Sequence, residues 1–540
     1  MVLYPKAVSH AEVDAGYQGC RAAHGLHPLG RRVLEIAPPA VVWLALSFPI
    51  WGAVVVPQAL GIFLVGFAAY WWWRSLEFTA GLLLGMRRLQ VARARDWLAI
   101  GQSLRGYHRL HHLVLVPTYR ESEEILAETL ACLVAQTLPN ERIAIALAFE
   151  ERDTDALARA AHLTQRFASL FGEWLVTLHP ELPGEVKGKS SNLAWCARRV
   201  EAELIESGRL DPRNLLVTVI DADSRLDSQY LAGLGCGVLA HPDGRLHVYQ
   251  PAILFYANHA RLPLLLRAVS SVFSLYSLSR LAASHRLVPQ STYSLAWWAA
   301  RQVGFWDVDV VPEDSHMFFK VWLHFGRRVK TRAIHLPVYA DAAEGVTAWG
   351  TMRTTYQQIR RWAWGVSDIP YVVLRASRAR HIPWHVRTAR LGWYIEEHLV
   401  WPAHWFLLTL GGVVLPVLNP TYAATAQAVW QSSAVSTLLT LCLPSLMFGI
   451  IADALLKRRS PGGSGLLDAV YGIAGFLLLP LTGLAMVALP ALDAHTRLLF
   501  GRSLAYQVTE KQPASQHTAA SEVVNRRRAR LSSSYARDAV

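Results

Sequence analysis

Cysteine is scarce and scattered in this chain. Cys20, Cys132, Cys196, Cys236 and Cys442 are the only five in 540 residues, and no two form a C-x-x-C pair. That excludes a disulfide framework and a cysteine zinc site, and it suits a reducing compartment. Charge is sparse as well, at 17% of residues against 52% hydrophobic. This balance is too apolar for an ordinary soluble protein and too charged for one buried wholly in a bilayer. A soluble domain joined to membrane helices satisfies both. Acidic residues are outnumbered 40 to 53 by Lys and Arg, for a net charge of +13. No nucleic-acid-binding motif accompanies that excess, so nucleic acid is not expected as a partner. The excess reads instead as cytoplasmic loops facing anionic membrane lipids. No apolar run follows Met1 closely enough for a cleaved signal peptide.

Long uncharged runs, by contrast, are present. Ile36 to Trp73 is almost free of charge and holds two spans of about 20 residues each, with the turn at Pro57-Gln58. Arg31 and Arg32 before it, and Arg74, Arg87, Arg88, Arg93 and Arg95 after it, put both flanks in the cytoplasm. The expectation is a cytoplasmic segment at 1–35 and two transmembrane helices within 36–85. Near the other end, Leu399–Leu418, Val429–Ala452 and Leu466–Leu489 are each long enough to span. Three such spans would leave Arg497, Arg502 and Arg526-Arg527-Arg528 outside, against the positive-inside rule. Leu466–Leu489 contains Pro480, and either it is a re-entrant hairpin or one span is miscounted. Residues 512–540, rich in Ser, Ala and Arg, are expected to be disordered. The layout is that of a multi-pass protein of a bacterial inner membrane with its soluble domain in the cytoplasm.

Between the apolar ends, residues 105–345 alternate strand-like and helix-like segments. His112–Thr118, Arg142–Glu150, Trp174–Leu178 and Leu215–Ile220 read as strands, with helices at Ser122–Gln136, Thr154–Leu170 and Ser190–Glu206. Such alternation predicts an α/β domain with a mostly parallel sheet and helices on both faces, which binds ligands at the carboxyl ends of its strands. Polar clusters gather at those ends: Pro117-Thr118-Tyr119-Arg120-Glu121, Glu150-Glu151-Arg152-Asp153, Lys187-Gly188-Lys189 before a helix, and Asp221-Ala222-Asp223. Two carboxylates at i and i+2 leave the same face of an extended chain and suit a hard divalent cation that grips phosphate. Glu313-Asp314 opens another helix, where a carboxylate can take a proton from an attacking hydroxyl. Each cluster alone has an ordinary reading as a cap or a solvated loop. Thr354–Trp364, with Gln358, Arg361 and Trp362, reads as an amphipathic helix at a membrane surface.

In this order the motifs give the chain a resemblance to the membrane-bound family 2 glycosyltransferases, the group of cellulose, chitin and hyaluronan synthases. The likeness covers roughly residues 110–370 and the membrane layout. It implies a GT-A-type nucleotide-sugar-binding domain at 105–345, inserted between N- and C-terminal transmembrane helices. Interface helices carrying Q-x-x-R-W would occupy 346–392, and a C-terminal transmembrane region 393–492. By the same resemblance, Thr118, Tyr119 and Glu121 hold the uridine of a UDP-sugar, with Glu150 or Glu151 at the base and Lys189 by the diphosphate. Asp221 and Asp223 contact the nucleotide and a Mg²⁺ or Mn²⁺. Asp314 is the general base, and Gln358, Arg361 and Trp362 bind pyrophosphate and acceptor. In the tail at 493–540, Tyr506, Val508, Thr509 and Lys511 look like a gating loop. The chain departs from the pattern in three places. Glu replaces Asp at the second strand's end, Pro312 precedes Glu313-Asp314, and Gln290-Ser291-Thr292-Tyr293-Ser294 stands where the acceptor loop usually has glycine.

The implied activity is inverting transfer of a sugar from a nucleotide sugar to a glycan acceptor in polysaccharide synthesis. One alternative is a single addition to a lipid-linked acceptor. Another, of a different class, is an inactive nucleotide-sugar sensor or a polysaccharide-export subunit.

Overall fold

The computed structural model describes residues 27–457 and 466–504. It begins with two long helices, α1 (Pro28–Val55) and α2 (Pro57–Arg93), separated by Val56 alone. Pro57 has no N–H to donate, so it ends one ladder and opens the next where a missing donor costs least. At the far end of α2, Arg93 donates to the Tyr339 hydroxyl at 2.6 Å and pairs with Asp227 at 3.3 Å. α2 is thereby tied to the domain that follows.

That domain is built on one eight-stranded sheet in the order β3-β2-β1-β4-β7-β6-β8-β5. β1 (His111–Pro117), β2 (Ile143–Glu150), β3 (Glu173–His179) and β4 (Leu215–Val219) alternate with α3 (Glu123–Val134), α4 (Ala156–Phe167) and α5 (Lys189–Val200). These four strands pair in parallel. Leu113 and Leu115 enter one core cluster while Val114 and Val116 enter the other, the two-residue period of a strand covered on both faces. Ser122 caps α3, its hydroxyl accepting the Ile125 N–H at 3.4 Å. The chain steps outward from β1 to β2 to β3, then returns to the opposite side of β1 with β4. That reversal opens a crevice beyond the ends of β1 and β4.

The other half of the sheet makes it mixed: six of its eight strands run the same way, as expected, and β5 and β7 run against them. β6 (Val248–Leu254) and β8 (Thr331–Tyr339) are parallel, but β7 (Tyr293–Ala296) runs antiparallel to both β4 and β6, and the two-residue β5 (Arg225–Leu226) runs antiparallel to β8. β7 is only four residues long, too short to carry a periodicity. Its place beside β4 is fixed by register, Val219 against Tyr293, and by the Thr218 and Ser294 hydroxyls 2.9 Å apart.

Helix α6 (Leu264–Arg280) precedes β7, α7 (Glu313–Phe325) follows it, and α8 (Ala348–Ala363) carries the Q-x-x-R-W residues. α6 is also the seat of α2. A Cβ on Gly81 of α2 would stand 2.6 Å from the Ser279 carbonyl oxygen, so only glycine lets the two helices come this close. Then come α9 (Trp384–Leu418), α10 (Ala426–Thr440) and α11 (Leu443–Lys457). Among the described residues, three stretches are long and apolar enough to cross a membrane: α1, α9, and Ala426–Lys457. Leu466–Leu489 is not one uniform helix. It divides into α12 (Leu466–Leu477), a turn at Leu479–Gly483, and a π-helical turn at Leu484–Ala488, before α13 (Leu489–Leu499). Pro480 and Pro490 stand in the first turns of two of these pieces, where each ends the preceding run of hydrogen bonds. The end of α13 meets the start of α1: Arg32 donates to the Leu498 and Leu499 carbonyls at 2.9 and 2.6 Å. Asp493 of α13 pairs with Arg360 of α8 at 2.9 Å.

Candidate active site

The crevice centres on Lys189. It is the first residue of α5, reached through Gly188, whose φ of 149° is open to glycine. Its ammonium lies 2.6 Å from Asp221 Oδ1, 2.9 Å from Glu313 Oε1 and 3.1 Å from the Ser291 carbonyl oxygen. Ser291 ties the group together. Its hydroxyl donates to Asp221 Oδ2 at 2.6 Å, and its N–H donates to Asp314 Oδ2 at 2.7 Å. Ser291 holds a φ of 56°, uncommon for a residue with a side chain, and strain of that kind gathers where geometry matters. Asp314 Oδ1 accepts the Ser315 N–H at 2.7 Å. Five residues from four segments therefore converge on one point: Lys189, Asp221, Ser291, Glu313 and Asp314.

The electrostatics follow from three carboxylates gathered around one ammonium. Burial works against the charge on Lys189, but Asp221 and Glu313 outweigh it and hold the ammonium well above its ordinary value. Burial lifts Glu313 to about 7 against the pull of Lys189. Asp314 is raised too, by burial first, with Lys189 and the Ser291 and Ser315 amides pulling the other way. A carboxyl raised in the folded state binds its proton more tightly there than in the unfolded chain. Its contribution to stability is complete below the ordinary Glu value and is lost as pH rises through about 7. Glu313→Gln is therefore expected to gain stability relative to the parent between pH 5 and pH 8, by up to roughly 3 kcal/mol. Thermal melts of both proteins at the two pH values check this. A variant that instead loses ground as pH rises would mean that the attraction to Lys189 outweighs burial.

Asp223 faces a different neighbour. It is 1% exposed and its Oδ2 accepts the Asp341 N–H at 2.9 Å. Asp341 in turn pairs with Arg225 at 3.0 Å, and Arg225 reaches Glu128 at 2.5 Å. The next residues, Ala342 and Ala343, line a small apolar cavity with Thr355, Gln358 and Trp362 of α8. Gln358 is buried, and the Trp362 ring packs against Phe255 and Phe273 with centroids 5.6 and 5.1 Å away. The structure thus brings Gln358 and Trp362 to the segment that follows Asp341.

The residues expected around the base lie at the ends of β1 and β2. Thr118 Oγ1 and the Tyr119 N–H both donate to Glu121 Oε2, at 2.8 and 2.6 Å. Of the two acids after β2, Glu150 is buried and lines a cavity, whereas Glu151 is exposed. Arg152 pairs with Glu150 at 2.5 Å and lays its guanidinium 3.9 Å from the centroid of the Tyr119 ring. Tyr506, Val508, Thr509 and Lys511 lie outside the described residues.

Of four further participants, sequence reasoning undervalued two and missed two. Ser291 appears there only as a departure from pattern, and Glu313 only as the neighbour of Asp314. Asp341 carries no motif. The fourth is the clamp behind the site: His316 of α7, 1% exposed, lies between Asp307 at 2.9 Å and Asp368 at 2.7 Å. Burial opposes its charge, yet Asp368 and Asp307 raise it to about 9, so it is an imidazolium at neutral pH. No local signal marks this contact, because its partners are 9 and 52 residues away.

Among the described residues, no group of three or more His, Cys, Asp or Glu side chains is arranged to hold a metal by itself. A cation that bridges a diphosphate does not need one, since one or two carboxylates plus phosphate oxygens complete its shell. The donors here are hard oxygens, and three carboxylates around one ammonium leave the cluster net negative, so Asp221 and Asp223 fit Mg²⁺ or Mn²⁺.

Residues 216–452 match the family model described as glycosyl transferase family group 2. This match marks the chain as a glycosyltransferase enzyme. A search of curated proteins gives no match. Similar solved structures include the mannosyltransferase PcManGT from Pyrobaculum calidifontis in complex with GDP-Man and Mn²⁺, at 17% identity over 78% of this chain and 98% of that one, TM-score 0.40. Another is S. aureus TarS 1-349 in complex with UDP-GlcNAc, at 13% identity over 75% and 97%, TM-score 0.34.

Proposed function

We propose that this glycosyltransferase is membrane-embedded, and that it moves a sugar from a nucleotide sugar to a glycan acceptor in polysaccharide synthesis, with inversion. The carrying observation is the convergence of Lys189, Asp221, Ser291, Glu313 and Asp314 at the mouth of a nucleotide-type crevice. Lys189 faces the diphosphate and offsets the charge that develops as it leaves. Asp314, half-buried and raised, takes the proton of the acceptor hydroxyl as that oxygen attacks the anomeric carbon. Ser291 fixes the two carboxylates relative to each other. Mg²⁺ or Mn²⁺, held by Asp221 and Asp223, would supply further positive charge to the leaving diphosphate. Gln358, Arg361 and Trp362 border the acceptor side. Thr118, Tyr119, Glu121 and Glu150 hold the nucleoside, which the resemblance gives as uridine. The tail residues Tyr506, Val508, Thr509 and Lys511 serve as the gating loop.

We place the protein in a bacterial inner membrane with the catalytic domain in the cytoplasm, and the helix contacts support a four-pass arrangement there. α2 starts at the far end of α1 and returns to Asp227 and Tyr339, which favours a second crossing beside α1. The Arg32 contacts with α13 and the Arg360–Asp493 pair favour keeping 466–499 on the catalytic side. Four crossings remove the conflict that three C-terminal spans create for the basic tail. The retained Asp314 and Lys189 weigh against an inactive sensor or export subunit. Product length separates polymer synthesis from single addition to a lipid-linked acceptor.

The direct test is the product. One displacement without a covalent intermediate gives a linkage of opposite anomeric configuration to the donor, and NMR of the product reads it. Stripping divalent cations with a chelator is expected to cut transfer at least about 100-fold, with Mg²⁺ or Mn²⁺ restoring it. Retention of configuration, or full transfer in the presence of chelator, would contradict the scheme.

A further inference from the structure

Three segments of the candidate site meet behind it at one side chain. His316 of α7 stands two residues after Asp314 and is 1% exposed. Its Nδ1 lies 2.7 Å from Asp368 Oδ1, and its Nε2 lies 2.9 Å from Asp307 Oδ2. Asp368 ends the turn Trp364–Asp368, which continues α8 beyond Gln358, Arg361 and Trp362. Asp307 belongs to the segment that backs the lysine loop. Its carbonyl accepts the Ser190 hydroxyl at 2.7 Å, and the Val308 carbonyl accepts the Val186 N–H at 2.8 Å. Ser190 follows Lys189 directly. One imidazole thereby joins the segments of the base, the phosphate-side lysine and the acceptor-side helix.

The joint needs two protons on that ring. An ionised carboxylate only accepts, and a neutral imidazole has a single N–H. With a carboxylate against each nitrogen, the imidazolium alone satisfies both. Burial opposes the charge, and Asp368 and Asp307 raise the group to about 9. Lys320 of α7 pairs with Asp307 and donates to the Phe305 carbonyl at 2.7 Å. Two carboxylates against His316 and Lys320 leave the joint neutral. Tyr371, on the helix Ile369–Arg378, sets its ring 4.3 Å from the imidazole, centroid to centroid. Arg375 and Asp309 act on Tyr371, and Asp368 acts on Tyr394 of α9. With the ring neutral, one nitrogen lone pair meets a carboxylate oxygen, and that arm of the joint is lost.

We propose that His316 is a positioning residue for sugar transfer: its imidazolium, bonded on both sides, holds Asp314, the Lys189 loop and the end of α8 in the arrangement in which transfer proceeds. The inference rests on the transferase reading above and on the roles given there to Asp314, Lys189, Gln358, Arg361 and Trp362. His316 acts through these groups and touches no substrate itself. Displacing a reacting group by about 1 Å costs roughly 100-fold in rate, so a joint behind the site is enough to set it. The ring keeps its proton below about 9, so transfer falls as pH rises through that value. Asp368 is the larger of the two carboxylate influences. Without its charge the ring loses its proton at lower pH, and the falling limb moves down.

The test is the pH profile of the single-turnover transfer rate, from about pH 7 to about pH 10. It uses the full-length protein in nanodiscs with Mn²⁺ and whichever donor a panel of UDP- and GDP-sugars selects, with circular dichroism at each pH reporting the fold. The parent is expected to lose about tenfold between about pH 8 and about pH 10. Asp368→Asn should move that limb down by at least about one pH unit. Asp368 Oδ2 has no hydrogen-bond partner, so an amide nitrogen in its place breaks no contact. His316→Gln cannot bridge both carboxylates and cannot titrate. It should transfer about 10–100-fold more slowly, without the limb, and bind the nucleoside diphosphate within about threefold of the parent. The same limb in Asp368→Asn as in the parent would overturn the inference. So would a His316→Gln rate within about threefold of the parent. Should a variant fail to fold, the parent profile still decides, since a flat rate to about pH 10 overturns it. Transfer with an unmoved limb removes the joint and leaves the transferase standing. No transfer from any donor sinks both.

Discussion

Lys189→Met is expected to remove both nucleotide binding and a large part of the protein's stability. The ammonium lies 2.6 Å from Asp221 and 2.9 Å from Glu313, and its side chain is 14% exposed. Taking it away leaves the buried Glu313 carboxylate without the ammonium beside it, a change that costs about 3–5 kcal/mol. Affinity for a nucleoside diphosphate should fall by about 10–100-fold, the loss of a charge-assisted contact. Lys189→Arg separates the two effects. It keeps the positive charge, so most of the stability is retained. Its planar fork cannot take the place of a compact ammonium between Asp221, Glu313 and the Ser291 carbonyl, so transfer still drops. Melting temperature and nucleotide affinity, read on both variants, check this. Equal nucleotide affinity in the parent and Lys189→Met would remove Lys189 from the phosphate site.

Asp314→Asn is expected to slow transfer by about 10²–10⁴-fold while the nucleotide still binds. The carboxylate is held by the Ser291 and Ser315 N–H groups, both at 2.7 Å, so its position is set before any acceptor arrives. Burial raises its proton affinity, which makes it a better base than a solvated Asp. The amide of Asn is nearly the same shape and can keep one of the two backbone contacts, so the fold should survive. What it lacks is the ability to take a proton. Single-turnover rates beside nucleotide affinity separate the two. A rate within about threefold of the parent would assign the base elsewhere, with Glu313 next in line.

The parts of this molecule that were legible in the sequence are local. Leu113–Val116 and Leu215–Val219 are short aliphatic runs that end in polar residues, and they are strands because both faces of the sheet are covered. Ser122 signals the start of α3 through its own hydroxyl. Lys189, Asp221 and Asp314 stand out by residue type at element ends, and they do meet. β7 was not legible. Four residues show no period, and its direction depends on pairing with β4, 74 or more residues earlier in register. Ser291 was seen and misjudged, since its importance lies in a positive φ and two contacts made across the fold. The same holds for the His316 clamp, where charge on a buried imidazole is fixed by two distant carboxylates. The apolar run at Leu466–Leu489 misled for a related reason. Hydropathy counts apolar residues, but Pro480 and Pro490 decide how the helix is divided.

The central claim is that the Lys189–Asp221–Ser291–Asp314 cluster transfers a sugar from a nucleotide donor. Its most direct test is release of nucleoside diphosphate by the purified protein in nanodiscs, with Mn²⁺, an acceptor glycan and a panel of UDP- and GDP-sugars, run beside Asp314→Asn. The account predicts release with at least one donor and its loss, by about 100-fold or more, in the variant. No release with any donor, or equal release by both proteins, would contradict it.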